Sequence, residues 1–137
     1  MGYSLAQIGM LPILAEQLKP FKIRTAEGLL RQVTYCRGRK RIAEKTGIGE
    51  SVLLFWANRA DFARIKGLGA GYISLLQTVG VDTVKELKHR NPQNLLEAMA
   101  AKNRQSGRPL VKVLPSLANV TRWIEQANKL ELKIEYR

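Results

Sequence analysis

The chain is 137 residues long, which suits one small domain or two that share a core. Apolar residues make up 45% and charged residues 25%, a globular composition that excludes a disordered chain. With 23 Lys and Arg against 11 Asp and Glu, the formal net charge of +12 points to a polyanionic partner: nucleic acid, an anionic membrane surface or an acidic protein.

The opening stretch MGYSLAQIGMLPILAEQLKPFK has neither a basic start nor a long apolar run, so no signal peptide is expected. No stretch reaches the roughly 20 apolar residues of a membrane span. Ala6 spoils a myristoylation pattern after Gly2. Cys36 is the one cysteine and has no partner for an intramolecular disulfide, so a reducing, cytoplasmic compartment is expected.

Helical periodicity then dominates in chain order. Gly9-Met10-Leu11 opens the first apolar-periodic stretch. Arg37-Gly38-Arg39-Lys40-Arg41 puts four cations in five residues, just ahead of a helix that leads to Gly47-Ile48-Gly49. Leu53 and Trp56 follow at core spacing. Asp61 reads as the cap of a short helix running into Ile65. Gly67-Leu68-Gly69 comes next, followed by Ile73, Leu76 and Gly80-Val81. Thr83 with Glu86 is a capping box ahead of Val84 and Leu87. Asn91 caps a helix with Pro92 at its first position and Leu95, Leu96 and Met99 on its buried face. The stretch 103–109 reads as a flexible loop. Ser116 caps a last helix with Leu117, Val120, Ile124 and Ala127 on one side. The alternation of Leu132, Ile134 and Tyr136 suits a short strand or an ordered tail.

The chain also repeats itself. Setting Gly67 over Gly9 brings Leu68 onto Met10, Leu76 onto Leu18, Val81 onto Ile23, Thr83 onto Thr25 and Leu87 onto Leu29. A second register sets Trp123 over Trp56 and Ser116 over Gly49. The expected order is four units, a two-unit block duplicated, in which the outer copies have lost glycines.

Ile65-x-Gly67-Leu68-Gly69, with Ile73, Leu76, Gly80-Val81, Thr83 and Leu87 behind it, resembles a helix-hairpin-helix motif. Gly47-Ile48-Gly49 with Leu53 and Trp56 has the same spacing. The stretch from residue 42 to about 130 resembles a tandem helix-hairpin-helix family catalogued as a domain of unknown function, through Asn58-Arg59-Ala60-Asp61 and Asn91-Pro92-x-Asn94-Leu95 as well. The resemblance implies an all-α fold, a compact array of short helices built from tandem, degenerate helix-hairpin-helix units. It divides a single domain over 1–137 into a degenerate unit with the basic cluster at 1–41, an inner pair at 42–90, and C-terminal helices with a tail at 91–137. It also implies nucleic-acid binding without base readout, phosphate oxygens meeting the amides at a helix start. Some related domains hold a monovalent cation on the hairpin carbonyls; otherwise no cofactor or metal is expected.

The residues expected at such an interface are Gly47, Ile48, Gly49, Lys66, Gly67, Leu68, Gly69 and Gly71, with Arg37, Arg39, Lys40 and Arg41. The pattern departs from nucleic-acid-binding members in one respect. The first turn after each hairpin reads Glu50-Ser51-Val52 or Ala70-Gly71-Tyr72, with no cation, and Lys66 substitutes only in part. Two readings therefore stand: a non-catalytic binder of DNA or RNA backbone, or a helical adaptor for a protein partner whose hairpins only pack helices. Trp56 and Trp123 read as core, Tyr35 and Tyr72 are undecided, and His89 reads as an ordinary helix-end cation. Cys36, beside the cations, is a candidate for a lowered thiol pKa or a small apolar filler. No Cys–His cluster, phosphate-binding loop or grouped carboxylates mark an enzyme.

Overall fold

The computed structural model describes residues 3–105 and 107–136. The myristoylation pattern judged at Gly2 falls outside them, as does Ser106 of the expected loop. Among the described residues the fold is all-α, with eight α-helices and no strand. No helix among them is long and apolar enough to cross a membrane. The chain divides into two compact units, one running to Arg64 and rejoined from Lys133, the other Ile65–Leu132.

In the first unit Pro12 starts helix α1, Pro12–Leu18, at the position where a missing N–H costs nothing. Thr25 caps α2, Ala26–Val33, by accepting from the Gly28 N–H at 3.0 Å. Helix α3, Cys36–Thr46, ends on Gly47 in the left-handed region at φ 80°, and α4, Glu50–Phe62, starts from Gly49. Helix α2 packs on both α3 and α4. Ile8, Leu18, Leu29, Val33, Ile42 and Leu53 are among the fully enclosed side chains of this core.

The second unit has α5, Ala70–Thr78, and α6, Val84–Leu87, followed by α7, Pro92–Gln105, and α8, Leu117–Lys129. Thr83 accepts from the Glu86 N–H, Asn91 from the Asn94 N–H and Ser116 from the Asn119 N–H, each at 3.0–3.1 Å. These three caps fall where the sequence puts them. Helix α7 packs on α5 and α8, and α6 on α8. Leu95, Met99, Val120, Ile124 and Ala127 are buried and Leu96 is half-buried, but Leu117 is 43% exposed. Its place in the first turn of α8 carries it past the packed face.

The internal repeat has a geometric counterpart. Gly9 and Gly67 both take left-handed backbone, at φ 91° and 87°, and Met10 and Leu68 after them are both buried. Lys22 and Gly80 close the matching turns at φ 62° and 88°. The Ile23 N–H reaches the Leu18 carbonyl as the Val81 N–H reaches that of Leu76. Gly49 and Ser116 both sit at helix N-caps in extended backbone.

Three expectations fail. Asp61 caps nothing: α4 continues through it, and no helix precedes Gly67, only turns. The basic cluster does not precede α3 but forms its first half. The stretch 103–109 begins as the end of α7, and the Asn103 amide pairs with both the N–H and carbonyl of Val111. The alternation of Leu132, Ile134 and Tyr136 is an ordered tail and not a strand: Glu135 donates its N–H to the Thr34 carbonyl at 2.8 Å with no ladder beyond it.

Candidate nucleic-acid interface

The first glycine turn is built by α3 and α4. The Gly47 N–H returns to the Ala43 carbonyl, and the Thr46 hydroxyl accepts from the Ile48 N–H at 3.1 Å. Ile48 is thereby turned into the core. Gly49 then opens α4 without a side chain to cap its first amides. In the second unit Gly67 turns the chain, Leu68 is fully buried, and Gly69, which has no side chain of its own to cap with, opens α5. The first amides of a helix lie outside its own bonding and carry positive partial charge.

The glycines are not equivalent. Gly47 and Gly67 are required by positive φ. Gly69 has ordinary extended backbone at φ −89°, and a Cβ added there would meet nothing within 4 Å. Gly49, at φ −62°, would meet only side chains of its own first turn, at 3.9 Å. Neither position needs a glycine for internal reasons. At Gly71 an added Cβ would lie 3.2 Å from Val111 Cγ1, a tight contact to which Val111 would have to yield by a few tenths of an ångström. Gly71 thus faces the α7–α8 connection.

Helix α3 carries the cations. Arg37, Lys40, Arg41 and Lys45 are exposed, with Glu44 among them. Arg37 lies 5.6 Å above the Tyr35 ring, and Arg41 donates to Gln32 Oε1 at 2.9 Å. Ion pairs among the described residues join Lys19 to Glu16 and Arg64 to Asp61, and none involves a cation of α3. Arg39 corrects the sequence reading. It is 3% exposed, and its guanidinium donates to the carbonyls of Val33, Thr34 and Glu135 and to Cys36 Sγ. Gly38 is equally internal, since a Cβ there would stand 1.8 Å from the Gln32 carbonyl oxygen. The open cluster is Arg37, Lys40 and Arg41.

Lys66 is exposed, with its backbone N–H held by Gln126 Oε1 at 2.9 Å. Tyr72 donates its hydroxyl to the Val113 carbonyl and tilts against the buried Trp123 ring, 5.3 Å away. Trp56 is half-buried beneath the Arg59 guanidinium, 5.6 Å from its ring. His89 is exposed beyond the end of α6. The Cys36 thiol goes against the lowered-pKa alternative of the two readings. Desolvation and its hydrogen bond with Glu135 push its pKa up, outweighing the pull of Arg39 and Lys40.

Two residues of consequence carry no local signal. Arg59 is buried, and desolvation pushes its pKa down; its Nε donates to the Ile8 carbonyl at 2.8 Å. Glu135 reaches the head of α3 from the far end of the sequence. In the first unit Arg37, Lys40 and Arg41 thus stand exposed on α3, outside the ion pairs among the described residues, and in each unit a glycine turn leads into a helix start. Comparison with curated proteins and with solved structures returned no match. The chain belongs to the family described as Domain of unknown function (DUF4332), which matches residues 8–130 and so takes in α1 and α2 as well as the stretch from residue 42 that carried the resemblance.

Proposed function

We propose that this protein is a non-catalytic nucleic-acid-binding module that grips the phosphate backbone without reading sequence. The contacts are the exposed cations Arg37, Lys40 and Arg41 on α3, the turn Gly47-Ile48-Gly49 acting as a helix-hairpin-helix between α3 and α4, and the turn Gly67-Leu68-Gly69 that opens α5, with Lys66 beside it. The observation that carries the reading is the open face of α3, whose cations have no carboxylate within ion-pair distance. On a chain of net charge +12 such a face attracts polyanions. The glycines at Gly49 and Gly69 support it, because the fold itself has room for side chains there. A ligand oxygen approaching the amides from outside does not. Glu50, exposed in the first turn of α4, opposes this at the first hairpin. The protein then works in a reducing, cytoplasmic setting where its lone thiol stays free.

The test is a fluorescence-anisotropy titration with short duplex DNA, single-stranded DNA and RNA from low to moderate salt. Binding should fall with a log–log slope of roughly −0.9 per contacted phosphate on duplex DNA. No binding near physiological salt refutes the reading.

A second reading has its own observation. Leu110, Val113, Leu114 and Leu117 are exposed around the start of α8. An apolar cluster of this kind suits a protein partner. Association through it would be nearly insensitive to salt.

A further inference from the structure

The segment 133–136 ends on the helix that carries the cations. Glu135 is held there by several hydrogen bonds. Its Oε1 accepts from the Cys36 N–H at 3.1 Å, its carbonyl accepts from Arg39 Nη2, and its own N–H donates to the Thr34 carbonyl. Tyr136 donates its hydroxyl to Asn58 Oδ1 at 2.8 Å, and Ile134 packs against the core of the first unit.

Helix α3 makes sense of this. Its first half holds Arg37, Arg39 and Lys40, where the helix dipole is itself positive, and Tyr35 offers no side-chain cap. Cations at that end repel the dipole and one another. The chain brings a carboxylate from far along the sequence to the Cys36 N–H at that end. The hydrogen bonds from Cys36, and Arg39 and Arg37 nearby, hold the Glu135 carboxyl below its ordinary pKa range, so it is charged at neutral pH. The same segment engages Arg39, the one cation of the cluster that is not exposed.

We propose that the segment 133–136 is an autoinhibitory strap over α3. Resting on the nucleic-acid reading of α3, the strap sets how much of that surface is available. When closed, Glu135 sets its carboxylate on the Cys36 N–H at the start of α3, where a phosphate would otherwise approach beside Arg37 and Lys40. A polyanion competes for the same helix start, so binding lifts the strap, while Arg39 keeps its bonds to the Val33 and Thr34 carbonyls. Glu135 is exposed, as a displaceable strap requires.

The experiment compares the full chain with Glu135→Gln, with Glu44→Gln, and with a chain ending at Leu132. Duplex DNA is the probe. Glu44→Gln removes the same unit of charge from the outer face of α3 and so measures the charge effect alone. Glu135→Gln keeps Ile134 and Tyr136 in place should the shortened chain fail to fold. The strap predicts that Glu135→Gln binds roughly three-fold tighter than Glu44→Gln at low salt. In the full chain, hydrogen exchange at the Glu135 amide should quicken when duplex is bound. Equal affinity of the two variants, or a Glu135 amide that slows on binding, overturns the strap and leaves the nucleic-acid reading standing. Failure of all four chains to bind duplex overturns both.

Discussion

Arg59 donates through Nε to the carbonyl of Ile8 at 2.8 Å, across the core of the first unit. In the second unit Gln126 does the matching work at Lys66, its Oε1 taking the N–H and its Nε2 facing the carbonyl at 3.5 Å. Arg59 and Gln126 are equivalent when Trp123 is set over Trp56, and Ile8 and Lys66 when Gly67 is set over Gly9. Each unit thus uses one polar side chain on its last helix to hold the backbone just before its first glycine turn. Arg59→Ala leaves the Ile8 carbonyl without this donor inside a packed core and should cost about 2 kcal/mol in chemical denaturation. Arg59→Gln, the second unit's own solution, should restore part of that. Equal losses for the two variants would show that the donor is not what matters.

Gly38 lies inside the basic cluster, yet its role is to let α3 approach Gln32 of α2. A methyl at 1.8 Å from a carbonyl oxygen cannot be absorbed without moving one helix. Gly38→Ala should therefore destabilise the first unit by about 2 kcal/mol or more, although the position is only half-buried and flanked by charge. Thermal melting of the variant against wild type measures it, and an unchanged melting temperature would contradict the contact.

Lys22 holds a left-handed turn at φ 62°, while its counterpart Gly80 does the same at 88°. A side chain with a Cβ pays roughly 1 kcal/mol for that region. Lys22→Gly should stabilise the chain by about 0.5–1 kcal/mol after the glycine's extra chain entropy is subtracted. A loss of stability would mean that the lysine side chain contributes more than its backbone costs.

The Glu135 cap has a definite pH sense. Its carboxyl pKa is lowered in the folded chain, so the stabilisation it supplies is present above the ordinary glutamate value of roughly 4.3. It fades as pH falls through the lowered folded value. The stability difference between wild type and Glu135→Gln should be constant near neutrality and vanish in acid. A difference that persists at pH 2 would assign the effect to packing.

The parts of this fold legible in the sequence are those decided by neighbours in the chain. Thr25, Thr83, Asn91 and Ser116 cap helices because a short polar side chain reaches an amide three residues on. Gly47 and Gly67 turn the chain by their own backbone freedom. The misread residues depend on partners far away. Asp61 has the chemistry of a cap, but buried apolar neighbours carry α4 through it, and its carboxylate pairs with Arg64 instead. Arg39 sits in a run of cations that reads as a solvated face, and only the arrival of residue 135 and the turn at Val33 and Thr34 draws it inside. Gly71 reads as part of a glycine-rich tip because Val111, which crowds it, lies forty residues away.

Phosphate binding is proposed at the α3 cations and Gly49 in the first unit and, separately, at Gly69 in the second. The most direct measurement is duplex affinity, across salt, of wild type, of Gly49→Ser with Gly69→Ser, and of Arg37, Lys40 and Arg41 all changed to Ala. Serine suits an N-cap, so the first variant should melt no lower than wild type. This folded variant should bind more weakly, and the cation variant should lose roughly 2.7 from the log–log salt slope if each cation meets one phosphate. Unchanged affinity and slope in both folded variants would contradict it.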